Sequence, residues 1–237
     1  MLIQCERHTQ KDLQRAQAYS ELDNMKNLNA RLVAQSISQI NSVMGKSYLS
    51  VSWGKDSTVL LALAIDAGYD GAIIWVKESP FYNPECEIVR DWFLKRYPLK
   101  YHEMVLDYGK YQKQQREKDQ LFYSFSDVLS TRFGVRISGI RNDESNTRLL
   151  RFIRNGFATK KTLAPLSLWK SDDVFAYIEQ HGLPLHPVYG MLGGGRYDRK
   201  HLRVDCIGGI EGNGIGRLEW EKEYYPDVLR KSGYVYN

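Results

Sequence analysis

The chain has 237 residues and a formal net charge of +5, and 43% of it is hydrophobic and 26% charged. Such composition belongs to globular domains and excludes disordered, fibrous and repeat classes. The longest apolar run, residues 59–65, falls far short of the ~20 residues a membrane span needs, and the first eight residues lack the charged start and apolar stretch of a signal peptide, so a cytoplasmic location is expected.

Residues 12–44 read as helical, because Leu28, Leu32, Ile37, Ile40 and Met44 recur at near-helical spacing. Two helices broken near Asn24 or Asn27 fit better than one. Residues 48–52 read as a short buried strand and 59–65 as a helix stopped by Gly68. A second strand is predicted at 71–76, a helix at 85–97 before Pro98, and a third strand at 101–106. The polar, unpatterned stretch 107–120 reads as a surface insertion. A helix at 126–133 and a fourth strand at 134–139 follow. Residues 171–181 form a well-marked helix, with Ser171 as cap, Asp172 and Asp173 in the first turn and Gly182 as stop. Gly193 to Gly195 mark a flexible loop, and 218–231 is a helix interrupted near Pro226. Alternating strands and helices predict an α/β fold, a mainly parallel twisted sheet with helices on both faces and a helical N-terminal extension. The expected organisation is a helical segment at 1–45, a nucleotide-binding domain at 46–190 and a C-terminal segment at 191–237 packed on it.

Cys5, Cys86 and Cys206 lie far apart, and their odd number argues against a disulfide framework. Without a Cys-x-x-Cys pair neither a zinc knuckle nor an iron–sulfur cluster is expected. The histidines contain no i, i+4 pair. Charge is concentrated between Arg141 and Arg203, where 11 Lys/Arg face 6 Asp/Glu. That segment is either a solvated basic face or a surface for a polyanion, a nucleic acid or a protein partner.

Three constellations carry chemistry. Ser52-Trp53-Gly54-Lys55-Asp56-Ser57-Thr58 joins the first strand to the next helix. A glycine turn lets backbone N–H groups face an anion, the helix N-terminus adds partial positive charge, Lys55 adds a full one, and Ser52, Ser57 and Thr58 offer hydroxyls. The plain alternative is a connecting turn. Gly139-Ile-Arg141-Asn-Asp-Glu144-Ser-Asn-Thr-Arg148 follows the fourth strand and so lies at the same carboxyl edge. Arg141 and Arg148 are forked donors suited to phosphate or sulfate oxygens, with Glu144 placed to orient one of them. Their alternative role is a solvated helix start with local ion pairs. The third block runs from Leu163 through Trp169 and Lys170 to Ile178, then on to Tyr189. Trp169, Val174, Tyr177 and Ile178 read as core, and Lys170 as either a phosphate contact or a surface residue.

These segments resemble the motifs of the phosphoadenosine phosphosulfate (PAPS) reductase-like family within the adenine nucleotide α-hydrolase superfamily. The first is similar to its Ser-x-Gly-Lys-Asp-Ser "PP-loop", with Trp53 where glycine is usual. If the loop is kept, that aromatic must point away from the phosphates. The second matches Gly-x-Arg-x-x-Glu-Ser-x-x-Arg at every fixed position, and the third resembles a Pro-Leu-x-x-Trp-x-x-x-Asp-Val-x-x-Tyr-Ile helix with an x-Pro-Tyr loop. The resemblance spans about residues 52–189. It implies an enzyme binding ATP, or PAPS, through Ser52, Trp53, Gly54, Lys55, Asp56, Ser57, Thr58, Gly139, Arg141, Glu144 and Lys170. Lys55, Arg141 and Arg148 would be catalytic, and Mg²⁺ would have Asp56 as a contact. The expected reaction is adenylyl transfer from ATP with pyrophosphate release.

Two departures bear on this. Lys77-Glu-Ser-Pro-Phe81 stands where the family often has Asp-Thr-Gly, and the family's Glu-Cys-Gly-x-His segment is missing. Cys206, near Arg203, is the remaining candidate nucleophile for thiol-dependent PAPS reduction. Its plain alternative is a small buried hydrophobe. A non-catalytic nucleotide- or nucleic-acid-binding subunit of a DNA-modification or phage-defence system is the third reading.

Overall fold

Five strands form one parallel sheet in the order β3-β2-β1-β4-β5: β1 (Ser47–Val51), β2 (Ala72–Ser79), β3 (Tyr101–Asp107), β4 (Val135–Ser138) and β5 (Thr162–Leu163). The structure, a computed structural model, describes residues 1–79, 81–107, 115–204, 206–208 and 217–231. Strand order reverses between β1 and β4, which pair with Ser50 opposite Ser138. That reversal leaves a crevice beyond the carboxyl ends of these two strands.

Both faces of the central strand β1 are covered, whereas the edge strand β3 stays largely exposed. On one face Leu49 and Val51 of β1 pack with helix α3 (Lys55–Asp66) and with α7 (Ser171–Gln180) behind it. Val59, Leu60, Leu61, Leu63 and Ala64 of α3 are all buried, because the helix is sandwiched between the sheet and α7. On the other face Tyr48 packs with Ile74 and with Leu129 of α5 (Gln115–Phe133). Helix α4 (Cys86–Leu94) buries Val89 and Phe93, and α6 (Asn146–Asn155) joins β4 to β5.

The N-terminal region forms α1 (Gln10–Met25) and α2 (Ala30–Asn41), broken where the sequence placed the break. Thr9 and Asp12 cap α1 reciprocally. The other oxygen of Asp12 accepts the Leu192 N–H at 3.0 Å. Asp23 holds Arg199 through two buried bonds of 2.7 Å. Two buried carboxylates thus tie the first helix to the segment after residue 190. The chain closes with α8 (Arg217–Tyr224) and α9 (Pro226–Lys231).

Two local expectations need correction. Residues 115–120 belong to α5 rather than to a surface insertion, while 108–114 lie outside the described residues. Ser171 is the first residue of α7 and not its cap. Asp173 does the capping, accepting the Lys170 N–H at 3.0 Å, and the Ser171 hydroxyl is buried without a partner among the described residues.

Candidate functional site

After β1 the chain turns through Ser52, Trp53 and Gly54 into α3. Trp53 has φ +62°, the only positive value at a described non-glycine residue. L-residues pay about 1–2 kcal/mol there, which is why glycine suits this position. Burial compensates. The indole is 1% exposed and packs against Trp75, Phe93 and Tyr101 at centroid distances of 6.3, 6.2 and 5.8 Å. The ring therefore points into the core, as retention of the loop requires, and Trp53 is absent from the cleft wall. The expected contact by Trp53 reduces to its backbone. Thr58 is likewise turned away: its hydroxyl is buried with no partner among the described residues.

Ser57 staples the turn. Its hydroxyl donates to the Gly54 carbonyl at 3.0 Å and accepts the Ser52 N–H at 3.3 Å. The Tyr189 hydroxyl accepts the Lys55 N–H at 3.2 Å. A Cβ on Gly54 would approach that hydroxyl to 3.1 Å. The start of α3 is thus fixed against the 186–190 turn.

Charge at the site centres on Asp56. Its Oδ2 meets Lys55 Nζ at 2.7 Å and its Oδ1 meets Arg141 Nε at 2.6 Å. Lys55 is 3% exposed and Arg141 2%. Burial is the largest influence on Lys55 and lowers its pKa, while Asp56 opposes this. Burial alone would raise the Asp56 pKa, but Lys55 and Arg141 outweigh it and hold the carboxyl below its usual range. Asp56 thereby joins the loop after β1 to the turn after β4. The join needs Gly139, where a Cβ would lie 3.0 Å from the Asp56 backbone.

The fork of Arg141 is largely committed to protein, with Nη1 reaching Asp143 at 3.2 Å and the Trp169 carbonyl at 3.4 Å. Glu144 pairs with Arg148 and stands 3.9 Å from Arg141 Nη2, so it orients the outer arginine. Together these groups wall a cleft of ≈ 380 Å³ at the β1–β4 edge. Six cationic side chains line it: Lys55, Arg136, Arg141, Arg148, Lys200 and Arg203. Asp56 and Glu144 are the lining carboxylates. Such a concave, cationic edge beside a helix N-terminus is built for an anion carrying several charges.

The donor set does not suit a resident divalent cation. Both oxygens of Asp56 are bound to cationic groups, Glu144 is held by Arg148, and no cluster of three His, Cys, Asp or Glu side chains occurs among the described residues. Mg²⁺ prefers carboxylates together with substrate phosphates. In this geometry Asp56 is the shared counter-ion of Lys55 and Arg141.

Lys170 is exposed at the start of α7 and stands outside the cleft wall. Cys206 lies against the end of β2. Its Sγ donates to Glu78 at 2.8 Å, at the end of β2, and it packs beside Phe81 and Leu106. Arg203 instead lines the cleft with Val204. The sequence reading missed Arg136, Lys200 and His201 as cleft residues. For Arg136 a signal existed, a charged residue inside the apolar strand 134–139. Lys200 and His201 come from a distant segment with no motif of its own.

The family model described as "Phosphoadenosine phosphosulfate reductase domain" matches residues 46–192. A phosphoadenosine 5'-phosphosulfate reductase from Aliivibrio salmonicida is 26% identical over 168 residues, covering 63% of this chain and 65% of that protein. An adenosine 5'-phosphosulfate reductase from Deinococcus radiodurans is 26% identical over 149 residues, covering 56% of this chain and 57% of the relative. The chain thus spans less than two thirds of either relative's length. A crystal structure of phosphoadenylyl-sulfate reductase from Candida auris superposes at a TM-score of 0.47 with 12% identity, over 72% of this chain and 88% of that one. No described helix is long and apolar enough to cross a membrane.

Proposed function

The chain belongs to the phosphoadenosine phosphosulfate reductase domain family, and on that premise we propose that it binds a sulfonated adenine nucleotide in the β1–β4 cleft and passes the sulfonate to a thiol. The observation that carries this reading is the balance of the cleft wall, six cationic side chains against two carboxylates already held in ion pairs. PAPS brings several negative charges and needs no pyrophosphate leaving group. Lys and Arg suffice to neutralise it, without the free carboxylates that a magnesium–triphosphate site uses.

The helix α3 N-terminus and Lys55 hold the phosphate, while Asp56 keeps Lys55 and Arg141 apart and in place. Arg148 and Arg203, at the exposed side of the cleft, answer the charge of the leaving nucleotide. In the transfer a thiolate attacks the sulfonate sulfur. A new S–S bond forms, the S–O bond to the phosphate breaks, and adenosine 3',5'-bisphosphate leaves with that electron pair. An external dithiol then attacks the thiol sulfur of the S-sulfonate, releasing sulfite and a disulfide that its second thiol resolves. Cys206 is our candidate thiol, because Val204 of the same segment lines the cleft.

One observation favours the second reading, ATP cleavage with pyrophosphate release. Cys206 donates to Glu78, and a thiolate beside a carboxylate is disfavoured. The experiment is to measure sulfite and pyrophosphate from the wild type and Cys206→Ser, supplied with PAPS or ATP and a dithiol. Sulfite from PAPS, abolished in the variant, is expected. Pyrophosphate from ATP in both proteins, without sulfite, would replace the proposal by the second reading.

A further inference from the structure

The family domain ends at residue 192, yet the cleft wall continues beyond it. Lys200, His201, Leu202, Arg203 and Val204 line the cleft, and Lys200 and Arg203 are two of its six cations. Residues 198–204 form neither helix nor strand. The backbone of such a segment has no hydrogen-bond ladder of its own, and long exposed side chains on it lose entropy when a ligand orders them. Another part of the chain has to hold this wall for its charges to face the cleft.

The hold begins at Arg199, which is 5% exposed. Its Nη1 and Nη2 donate to separate oxygens of Asp23, both at 2.7 Å. The ring centroids of Tyr19 and Phe175 lie 4.1 and 4.0 Å from its Cζ. Tyr19 and Asp23 belong to α1, four residues apart and so on one face of that helix. A two-pronged arginine–carboxylate pair fixes orientation as well as position. Leu202, buried in the core, is the second fixed point. Lys200 and His201 lie between these anchors and Arg203 directly follows them. The Lys200–Asp172 pair, at 3.0 Å, is open to solvent on both sides and holds little.

We infer that Asp23 is a positioning residue for the cleft: through Arg199 it sets where Lys200, His201 and Arg203 stand against the ligand. This rests on the nucleotide reading above and names what the cleft's outer wall depends on. Asp23 and Arg199 both lie outside the matched residues 46–192, so the helical extension supplies a support that the family domain does not contain. Deprived of its carboxylate, a buried arginine is costly where it stands. It relieves that cost by moving toward water, and the residues that follow it move too.

The test is a double-mutant cycle read by calorimetric titration of adenosine 3',5'-bisphosphate. Arg203→Met removes one cleft charge and should weaken binding about tenfold, as for one charge-assisted contact. Asp23→Asn keeps the shape and loses the charge, and should weaken binding about five- to tenfold although Asp23 is absent from the cleft wall. The double variant should be no more than about threefold weaker than Arg203→Met, because a misplaced arginine has little left to lose. A merely structural loss would instead multiply with that of Arg203→Met. Asp23→Glu retains the carboxylate and should bind within about threefold of the wild type. Arg199→Lys, which keeps the charge and loses the fork, takes the place of Asp23→Asn in the cycle if that variant does not fold. Wild-type affinity in a folded Asp23→Asn protein, or losses that multiply, overturns the positioning role and leaves the nucleotide reading intact. A wild type that does not bind the nucleotide overturns both.

Discussion

Replacing Trp53 by glycine and by alanine should reverse the usual order of these two residues. The side chain is 1% exposed and walled by three aromatic rings. Truncating a buried tryptophan costs about 3–5 kcal/mol. Loss of the indole also removes a buried N–H that has no partner among the described residues, which returns roughly 1 kcal/mol. Both variants share these two effects and should be destabilised by about 2–4 kcal/mol. They differ at the backbone. At φ +62° alanine keeps the left-handed strain and glycine does not. Glycine gives back part of that gain through the greater freedom of its unfolded chain. The net advantage of Trp53→Gly over Trp53→Ala is then roughly 0.5–1 kcal/mol. Urea unfolding followed by far-ultraviolet circular dichroism reads this directly, provided the slopes agree. A Trp53→Ala protein as stable as Trp53→Gly would refute the left-handed assignment. Losses under 1 kcal/mol in both would refute burial of the ring.

Three further outcomes follow from the same geometry. Asp56→Asn leaves Lys55 and Arg141 buried without their shared counter-charge, so stability should fall by about 3–5 kcal/mol in thermal melts; an unchanged melting temperature would show the bridge to be incidental. Gly139→Ala pushes a methyl to 3.0 Å from the Asp56 backbone, which cannot give way as a side chain would, so a loss of about 1–3 kcal/mol is expected, and wild-type stability would contradict the close approach. His186, fully buried, accepts the Val188 N–H at 3.1 Å, and burial, aided by His8, pushes its pKa down to about 3. The unfolded chain binds the extra proton between pH 3 and the ordinary value of 6.5, so this contribution is complete above pH 6.5 and is lost as pH falls toward 3, by at most ~5 kcal/mol. His186→Asn, which keeps an acceptor for Val188, should flatten the stability–pH curve over that window, and an unaltered curve would show that His186 is not its source.

The parallel sheet and the two loops at its edge were legible because their signals are local. Apolar runs, glycine stops and the Ser52–Thr58 and Gly139–Arg148 segments each lie within about ten residues. What escaped depends on residues brought together from far apart. Cys206 stands three positions from Arg203 in the sequence, yet its thiol donates to Glu78 on β2, 128 residues distant. Lys200, His201 and Arg203 wall the cleft from a segment that carries no periodic pattern. Lys170 follows a motif position but points outward, because the helix it precedes buries the face bearing Val174, Tyr177 and Ile178. The length of α5 was underestimated, since its polar first turns carry no apolar period to read.

The central claim is that the β1–β4 cleft binds an adenine nucleotide through protein cations. Calorimetric titration of adenosine 3',5'-bisphosphate in buffer containing EDTA tests it most directly, with the wild type beside a Lys55→Ala protein confirmed as folded by its melt. The account predicts binding without divalent cations, weakened by about 1–3 kcal/mol in Lys55→Ala through loss of a charge-assisted contact. Binding that appears only with added Mg²⁺, or that is equally tight in Lys55→Ala, would contradict it.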